Sequence, residues 1–419
     1  MIKETGSETV EKNYDVIVTG ARCAGSALSI YLAKAGFKVL LVDKATFPSD
    51  TLSTNTFFNN TTALLRDLGV LDEVLKTNVT PVRSIKFQFE DTVIEGPIPV
   101  VAGEDTAYCI RRTHLDNILI RKAGSMENVT VLEGFRVKDL IYDGDVVAGV
   151  KGEVSSGAMR EFRASLIVGA DGRHSMVRKL VRSKQKIISP STVAIYFGYF
   201  SNFQHDGEAK FEVYKRGKNM AILFPTNENN YVVTANFPLS DKGLLEKFKQ
   251  NSEESLRQLL TEHFPNTTIG ARLKTATLIE PIRGLHEYEN YWYEGMGKGW
   301  ALVGDAICFK DPAMAQGIHD AIRGAQLLAN ILKRYNNQLS QWNQIGEEYQ
   351  RAVEAEFMVR FYMGCELSKN EPISEHQDAV NKLISTHPAV IEKFLGIYNY
   401  ANEPSDFEAE LVKVMDTGS

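Results

Sequence analysis

Cysteine is scarce. Four residues in 419, at positions 23, 109, 308 and 365, include no CxxC pair. That excludes a disulfide scaffold and the closely spaced thiolates of a structural zinc site. The eight histidines form no HExxH or HxH group, so no metal is expected. Basic surplus is missing too. The chain has 47 Lys+Arg against 53 Asp+Glu, a net charge of −6, which argues against nucleic acid as a partner. No apolar run reaches the roughly 18–20 residues of a membrane span. The polar start MIKETGSETVEKN lacks the apolar stretch of a secretory leader, so a cytoplasmic protein with reduced thiols is expected. Residues 1–12 read as a disordered tail. No fixed-period repeat and no low-complexity tract breaks the chain.

What is present is ordinary for a folded protein, with 43% hydrophobic and 24% charged residues. At about 100–200 residues per domain, the length suggests two or three domains. Tyr14–Thr19 is a β-branched run, followed by Gly20 and an apolar helical pattern through Ala35 that closes at Gly36. Lys38–Val42 is a buried-type strand. Together they make one βαβ unit. Residues 56–77 and 112–123 read as helices, and 82–110 as antiparallel strands. Residues 129–168 read as strands with a hairpin at Asp143-Gly144. Residues 190–238 are aromatic and β-branched and read as a separate antiparallel sheet. A helical stretch at 242–263, a short strand at 299–303 and helices over 317–365 follow.

Three strand ends carry chemistry. After the first strand comes Gly20-Ala21-Arg22-Cys23-Ala24-Gly25. Gly20 permits a tight turn, Gly25 permits close helix–strand packing, and the helix N-terminus offers N–H groups to a pyrophosphate. Asp43 ends the second strand, placed to accept hydrogen bonds from an adenosine ribose. Arg22 stands where this fingerprint has its middle glycine. It either points away or lays a fixed charge beside the phosphates or an incoming nicotinamide. The second site is Asp171-Gly172, which read alone is a turn. The third is Gly304-Asp305, followed by the loop Asp311–Gly317, whose backbone N–H groups can stabilise negative charge on a bound ring.

The ordered triple resembles the FAD-dependent aromatic hydroxylases, the class A flavoprotein monooxygenases, over roughly residues 13–335. That fold also includes geranylgeranyl-reductase-like enzymes and flavin-dependent halogenases. The phrases GARCAGS, FPSDTLST, RRTHLD, VGADGRHS and GDAICFKDPAMAQG are similar to one bacterial subgroup. The resemblance implies FAD contacts from Gly20, Ala21, Arg22, Cys23, Ala24, Gly25, Asp43, Lys44, Arg112, Asp171, Gly172, Gly304, Asp305, Pro312, Ala315, Gln316, Gly317 and Ile318. It implies that Asp305 holds the ribityl chain and that the 312–317 loop lies against the isoalloxazine. Ala315 replaces a usual glycine, and His319 stands where an asparagine is common. The halogenase signature WxWxIP is absent, which disfavours that branch. Cys308 lies close enough to the third motif to raise a covalent flavin link, but non-covalent FAD is the expectation.

The expected fold is α/β: a discontinuous Rossmann-type FAD-binding domain (13–80, 108–182 and 291–335), an inserted antiparallel β-sheet substrate domain (81–107 and 183–290) and a C-terminal helical region (336–419). Tyr196, Tyr199, Tyr214, Phe224 and His319 are the candidate pocket residues. Adjacent strand positions face opposite ways, so Phe197 faces away from Tyr196. Phe357, Val359, Phe361, Tyr362 and Met363 read as helix core, with a pocket cap or a dimer seam as the other readings. The function implied is NAD(P)H-dependent monooxygenation of an apolar, aromatic small molecule through a flavin C4a-hydroperoxide. The alternatives are an FAD-dependent reductase of prenyl double bonds and a non-catalytic flavin-binding protein. O₂ and a small molecule are the expected partners, and the chain is a monomer or homodimer.

Overall fold

The computed structural model describes residues 14–417 apart from 54, 206, 336 and 337. The expected disordered tail lies outside these residues. Two strands rich in branched aliphatic residues, Tyr14–Thr19 and Val39–Asp43, are buried on both faces, as interior parallel strands are. They sit in the middle of a parallel sheet. Its order is Trp300–Leu302, Met159–Gly169, Tyr14–Thr19, Val39–Asp43, Val129–Glu133. Helix Cys23–Lys34 packs between this sheet and helix Gly317–Tyr335. Its Cys-Ala-Gly-Ser-Ala start is small enough to be buried almost all round. The helix ends where predicted, with Gly36 at φ +91°. The hairpin Arg136–Asp143/Val146–Glu153 covers the other sheet face through Leu140, Val147 and Val150.

A second sheet runs Thr277–Leu278, Val193–Ser201, Tyr231–Pro238, Asn219–Pro225, Phe211–Arg216, Ser84–Phe89, Thr92–Pro97. The expectation of an all-antiparallel sheet is corrected here. Ser84–Phe89 pairs with Phe211–Arg216 in parallel. The two strands lie more than 100 positions apart, so no hairpin turn dictates their direction. A third, unforeseen sheet joins Gln185–Pro190, Glu289–Tyr293 and Cys308–Phe309.

The second sheet is buried on both faces. Tyr196, Tyr214, Leu223 and Val233 pack under helices Lys242–Gln250, Ser252–His263 and Ile269–Thr275. Phe197, Tyr199, Phe224 and Val232 face the other way, toward Phe58, Ala315 and the C-terminal helices. Within helix Trp342–Leu367, Phe357 and Phe361 are buried, while Val359 and Tyr362 are exposed. No helix among the described residues is long and apolar enough to cross a membrane.

Candidate functional site

The carboxyl ends of the parallel strands open onto one cavity of about 840 Å³. That crevice is where open α/β sheets bind ligands. All three sequence motifs meet there. Gly20 takes φ +96° and donates its N–H to the Val42 carbonyl at 2.7 Å. Gly25 is pressed so close that a Cβ would sit 1.8 Å from the Gly20 oxygen. The helix starting at Cys23 has no side-chain cap and no acidic residue in its first turn, so its N–H groups and dipole are left for an anion. At Gly317, the start of the last motif helix, no atom lies within 4 Å of a Cβ position. The two helix starts and the intervening glycine cradle fit the pyrophosphate and ring of a flavin dinucleotide.

Asp43 lines the cavity and is 9% exposed. Its Oδ2 accepts from Ala21 N–H at 2.7 Å and its Oδ1 from Ala45 N–H at 2.8 Å, which leaves lone pairs for sugar hydroxyls. Asp305 also lines the cavity. Burial pushes its carboxyl up to about 6, against the pull of Arg112. No hydrogen bond to that carboxylate forms among the described residues, so it is free to accept from a ligand.

Asp171 is differently engaged. It caps helix Met176–Leu180, accepting from the Ser175 hydroxyl and from Met176 N–H at 2.6 Å. Burial pushes its carboxyl up. Arg178, which the sequence reading passed over, ties this motif to the third. It donates to the carbonyls of Arg173 (2.6 Å), Asp305 (3.2 Å) and Ala306 (2.9 Å).

Arg22 lines the cavity, yet its guanidinium is committed. It meets Asp116 at 2.5 Å and donates to the Ser49 hydroxyl and the Asp50 carbonyl, each at 2.9 Å. Arg112 grips the same Asp116 from the other side at 2.8 Å. A fully buried carboxylate therefore joins two cavity-lining arginines. Asp116 carried no signal in the sequence beyond its place in RRTHLD.

Cys23, Ala24, Lys44, Gly172, Pro312, Ala315 and Ile318 line the cavity as well. Ala21, Gly25, Gly304 and Gln316 do not. They support it from behind, as in the Gln316 amide donating to the Tyr398 carbonyl at 3.0 Å. Ala315, where the resemblance has glycine, takes a left-handed backbone at φ +55°. Cys308 lines the cavity, and burial pushes its thiol well up, away from nucleophilic thiolate.

The candidate pocket residues separate. Phe224 lines an apolar recess that shares Thr56, Ile195, Pro312 and Ala315 with the cavity. Tyr199 lies on that same face, its hydroxyl accepting from Asn55. Tyr196 and Tyr214 are corrected. Tyr196 stacks on Phe237 and Phe248, and Tyr214 donates to Glu212 at 2.5 Å, both on the far face. His319 is also displaced from the pocket. Its ring packs 4.4 Å from Tyr400, with Nδ1 3.0 Å from Asp320 Oδ1. Asp320 itself lines the cavity. Burial opposes its charge, but Lys310 at 2.7 Å and His319 hold its carboxyl down to about 2. Phe197 and Ile195, absent from the candidates, are the strand residues that reach the cavity.

A profile for the FAD binding domain matches residues 13–343. The chain belongs to this FAD-binding family. It is an FAD-dependent enzyme of the flavin monooxygenase and halogenase superfamily. Among its relatives is a 1H-pyrrole-2-carbonyl-(peptidyl-carrier protein) chlorinase of Pseudomonas fluorescens, 24% identical over 78% of this chain and 77% of that one. Another is the kynurenine 3-monooxygenase of Christiangramia forsetii, 24% identical over 81% and 77%. The flavin-dependent brominase Bmp2 has the same fold, with a TM-score of 0.76 at 18% identity over 97% of this chain and all of that one. Halogenases thus stand among the relatives although WxWxIP is absent, so that absence does not separate this chain from them.

Proposed function

We propose that the first sheet and its helices hold FAD, and that the second sheet binds an apolar, planar small molecule. In this reading the chain is an NAD(P)H-dependent monooxygenase. One observation carries it. The cavity lined by Gly20, Asp43 and Asp305 continues to Ile195 and Phe197 of the second sheet, and the apolar recess lies against it, sharing Ile195 and Pro312.

Bound FAD supplies the redox chemistry that couples NAD(P)H to O₂. The residues do the holding. The N-terminus at Cys23 receives the pyrophosphate, Asp43 the adenosine ribose and Asp305 the ribityl chain. The helix start at Gly317 would present its backbone N–H groups to the ring, and Ile195, Phe197 and Phe224 would keep water from the reacting face. Lys44, Arg136, Lys138 and Arg173 line the cavity as a basic rim, which suits the phosphates of a visiting nicotinamide nucleotide.

The purified protein should release FAD on acid precipitation. With NAD(P)H, ¹⁸O₂ and an aromatic panel, a product carrying one ¹⁸O atom and formed equally with or without halide is expected. A product that gains chlorine or bromine and needs halide would move the chain to halogenation. Product formed without O₂ would move it to reduction of double bonds.

A further inference from the structure

The apolar recess contains an anomaly. Among its lining residues are Ile195, Phe211, Ile222, Phe224 and Pro312, together with Asn236. Asn236 is 1% exposed, its Oδ1 has no hydrogen-bond partner, and no bond of its Nδ2 is formed among the described residues. On this face of the strand the neighbouring polar side chain is bonded. Thr234, two positions back on the same face, accepts from Ile222 N–H at 2.9 Å, and the Asn236 backbone is paired with Ile195 and Met220. A buried amide without partners is costly, by about 1–3 kcal/mol, and native proteins keep few of them. Leucine would fill this position, beside two threonines and otherwise apolar residues, without that cost.

The recess is small. It offers about 10 Å³, room for one water-sized group. It shares Thr56, Ile195, Pro312 and Ala315 with the large cavity as common walls. A ring fits the cavity, and a single small substituent fits the recess. No charged side chain lines the recess, so a carboxylate there would be buried without a counter-charge.

We infer that Asn236 is the residue that selects the substrate, its amide exchanging hydrogen bonds with one neutral hydroxyl or amino group on an aromatic ring. The inference rests on the proposed placing of substrate between the second sheet and the 312–315 loop. The substrate class is then a neutral phenol or arylamine, and neither a plain hydrocarbon nor an aromatic carboxylate.

Binding, not turnover, tests this. The FAD-loaded protein is titrated with phenol, aniline, toluene and benzoate in the absence of NAD(P)H, and the flavin absorbance change is read. Phenol and aniline should bind about tenfold or more tightly than toluene, and benzoate no better than toluene. Asn236→Leu should keep its FAD, keep toluene binding and lose the preference, while its thermal midpoint stays level or rises. Equal affinity of the unaltered protein for phenol and toluene overturns the inference, and assigns the amide to a trapped water. Benzoate binding as tightly as phenol overturns it too, as does a preference that survives in Asn236→Leu. Should that variant not fold, the four affinities of the unaltered protein still decide. Oxygen incorporation is measured separately, so the monooxygenase reading can fail while the Asn236 preference stands, or the reverse.

Discussion

Asp311 shows how one side chain couples the loop at Pro312 to pH. Its carboxyl is 3% exposed, accepts from the Tyr288 hydroxyl at 2.6 Å and caps Ala313 N–H at 2.9 Å. Burial nevertheless pushes it up to about 6. A raised carboxyl pKa means the folded state keeps a proton that the unfolded chain has released. This group's contribution to stability therefore falls as pH rises from about 4 to about 6, and is level above that. Asp311→Asn keeps an acceptor for Ala313 and removes the titration. In urea unfolding of the FAD-free protein, the variant should be the more stable at pH 7, by up to roughly 3 kcal/mol. The difference should shrink toward pH 4. Equal midpoints at both pH values would show that Asp311 is not the titrating group.

The first βαβ unit works by contact as much as by composition. Gly25 sits in a helix whose approach to Gly20 leaves no room for a methyl group. Gly25→Ala must push the helix from the strand end, widening the turn whose N–H groups face the cavity. Overpacking of this kind costs typically about 1–3 kcal/mol. FAD affinity should fall by about tenfold or more, read by quenching of flavin fluorescence, with a lower thermal midpoint. Gly36→Ala is the control. Its Cβ position is open, so only its positive φ is penalised, and FAD affinity should be unchanged. Arg22 acts at this level too. By holding Ser49 and Asp50 it straps the segment between the second strand and the cavity mouth, which is a reason for arginine in a glycine position.

The C-terminal segment closes the molecule. Val390 and Leu395 complete the apolar face of the second sheet. Asn399 donates to Asn59 Oδ1 at 2.8 Å and to the Pro99 carbonyl at 2.6 Å, and Tyr398 receives the Gln316 amide. Arg360, 2% exposed, lies 3.9 Å from the Tyr400 ring centroid and bonds the Asn402 carbonyl at 2.8 Å. These contacts join the segment to the second sheet, to helix Asn59–Leu68 and to the loop at Pro312. Ending the chain before Pro388 would bare Ile94, Phe87 and their neighbours, an apolar patch that drives association. Such a truncation should be recovered mostly as insoluble protein, its soluble part carrying little FAD. A soluble truncation with full FAD content would make the segment dispensable.

Local pattern was enough to bring the first motif to the cavity. A glycine turn, a small-residue helix and an acid at the next strand end are neighbours in sequence and stay neighbours in space, so Gly20, Gly25 and Asp43 could be read directly. The same holds for Gly36 and the Asp143-Gly144 hairpin. The second sheet was legible only as a sheet. Val193–Phe200 is buried at all eight positions, so alternation carries no polarity to say which parity meets the cavity. Helices 242–275 claimed Tyr196, and Phe197 was left to the cavity. His319 could not be placed because Tyr400, 81 positions on, takes its ring. Asp116 looked like any acid on a helix until folding brought Arg22 to it across 94 positions. Contacts of that range are set by packing of whole elements, and short-range spacing holds no record of them.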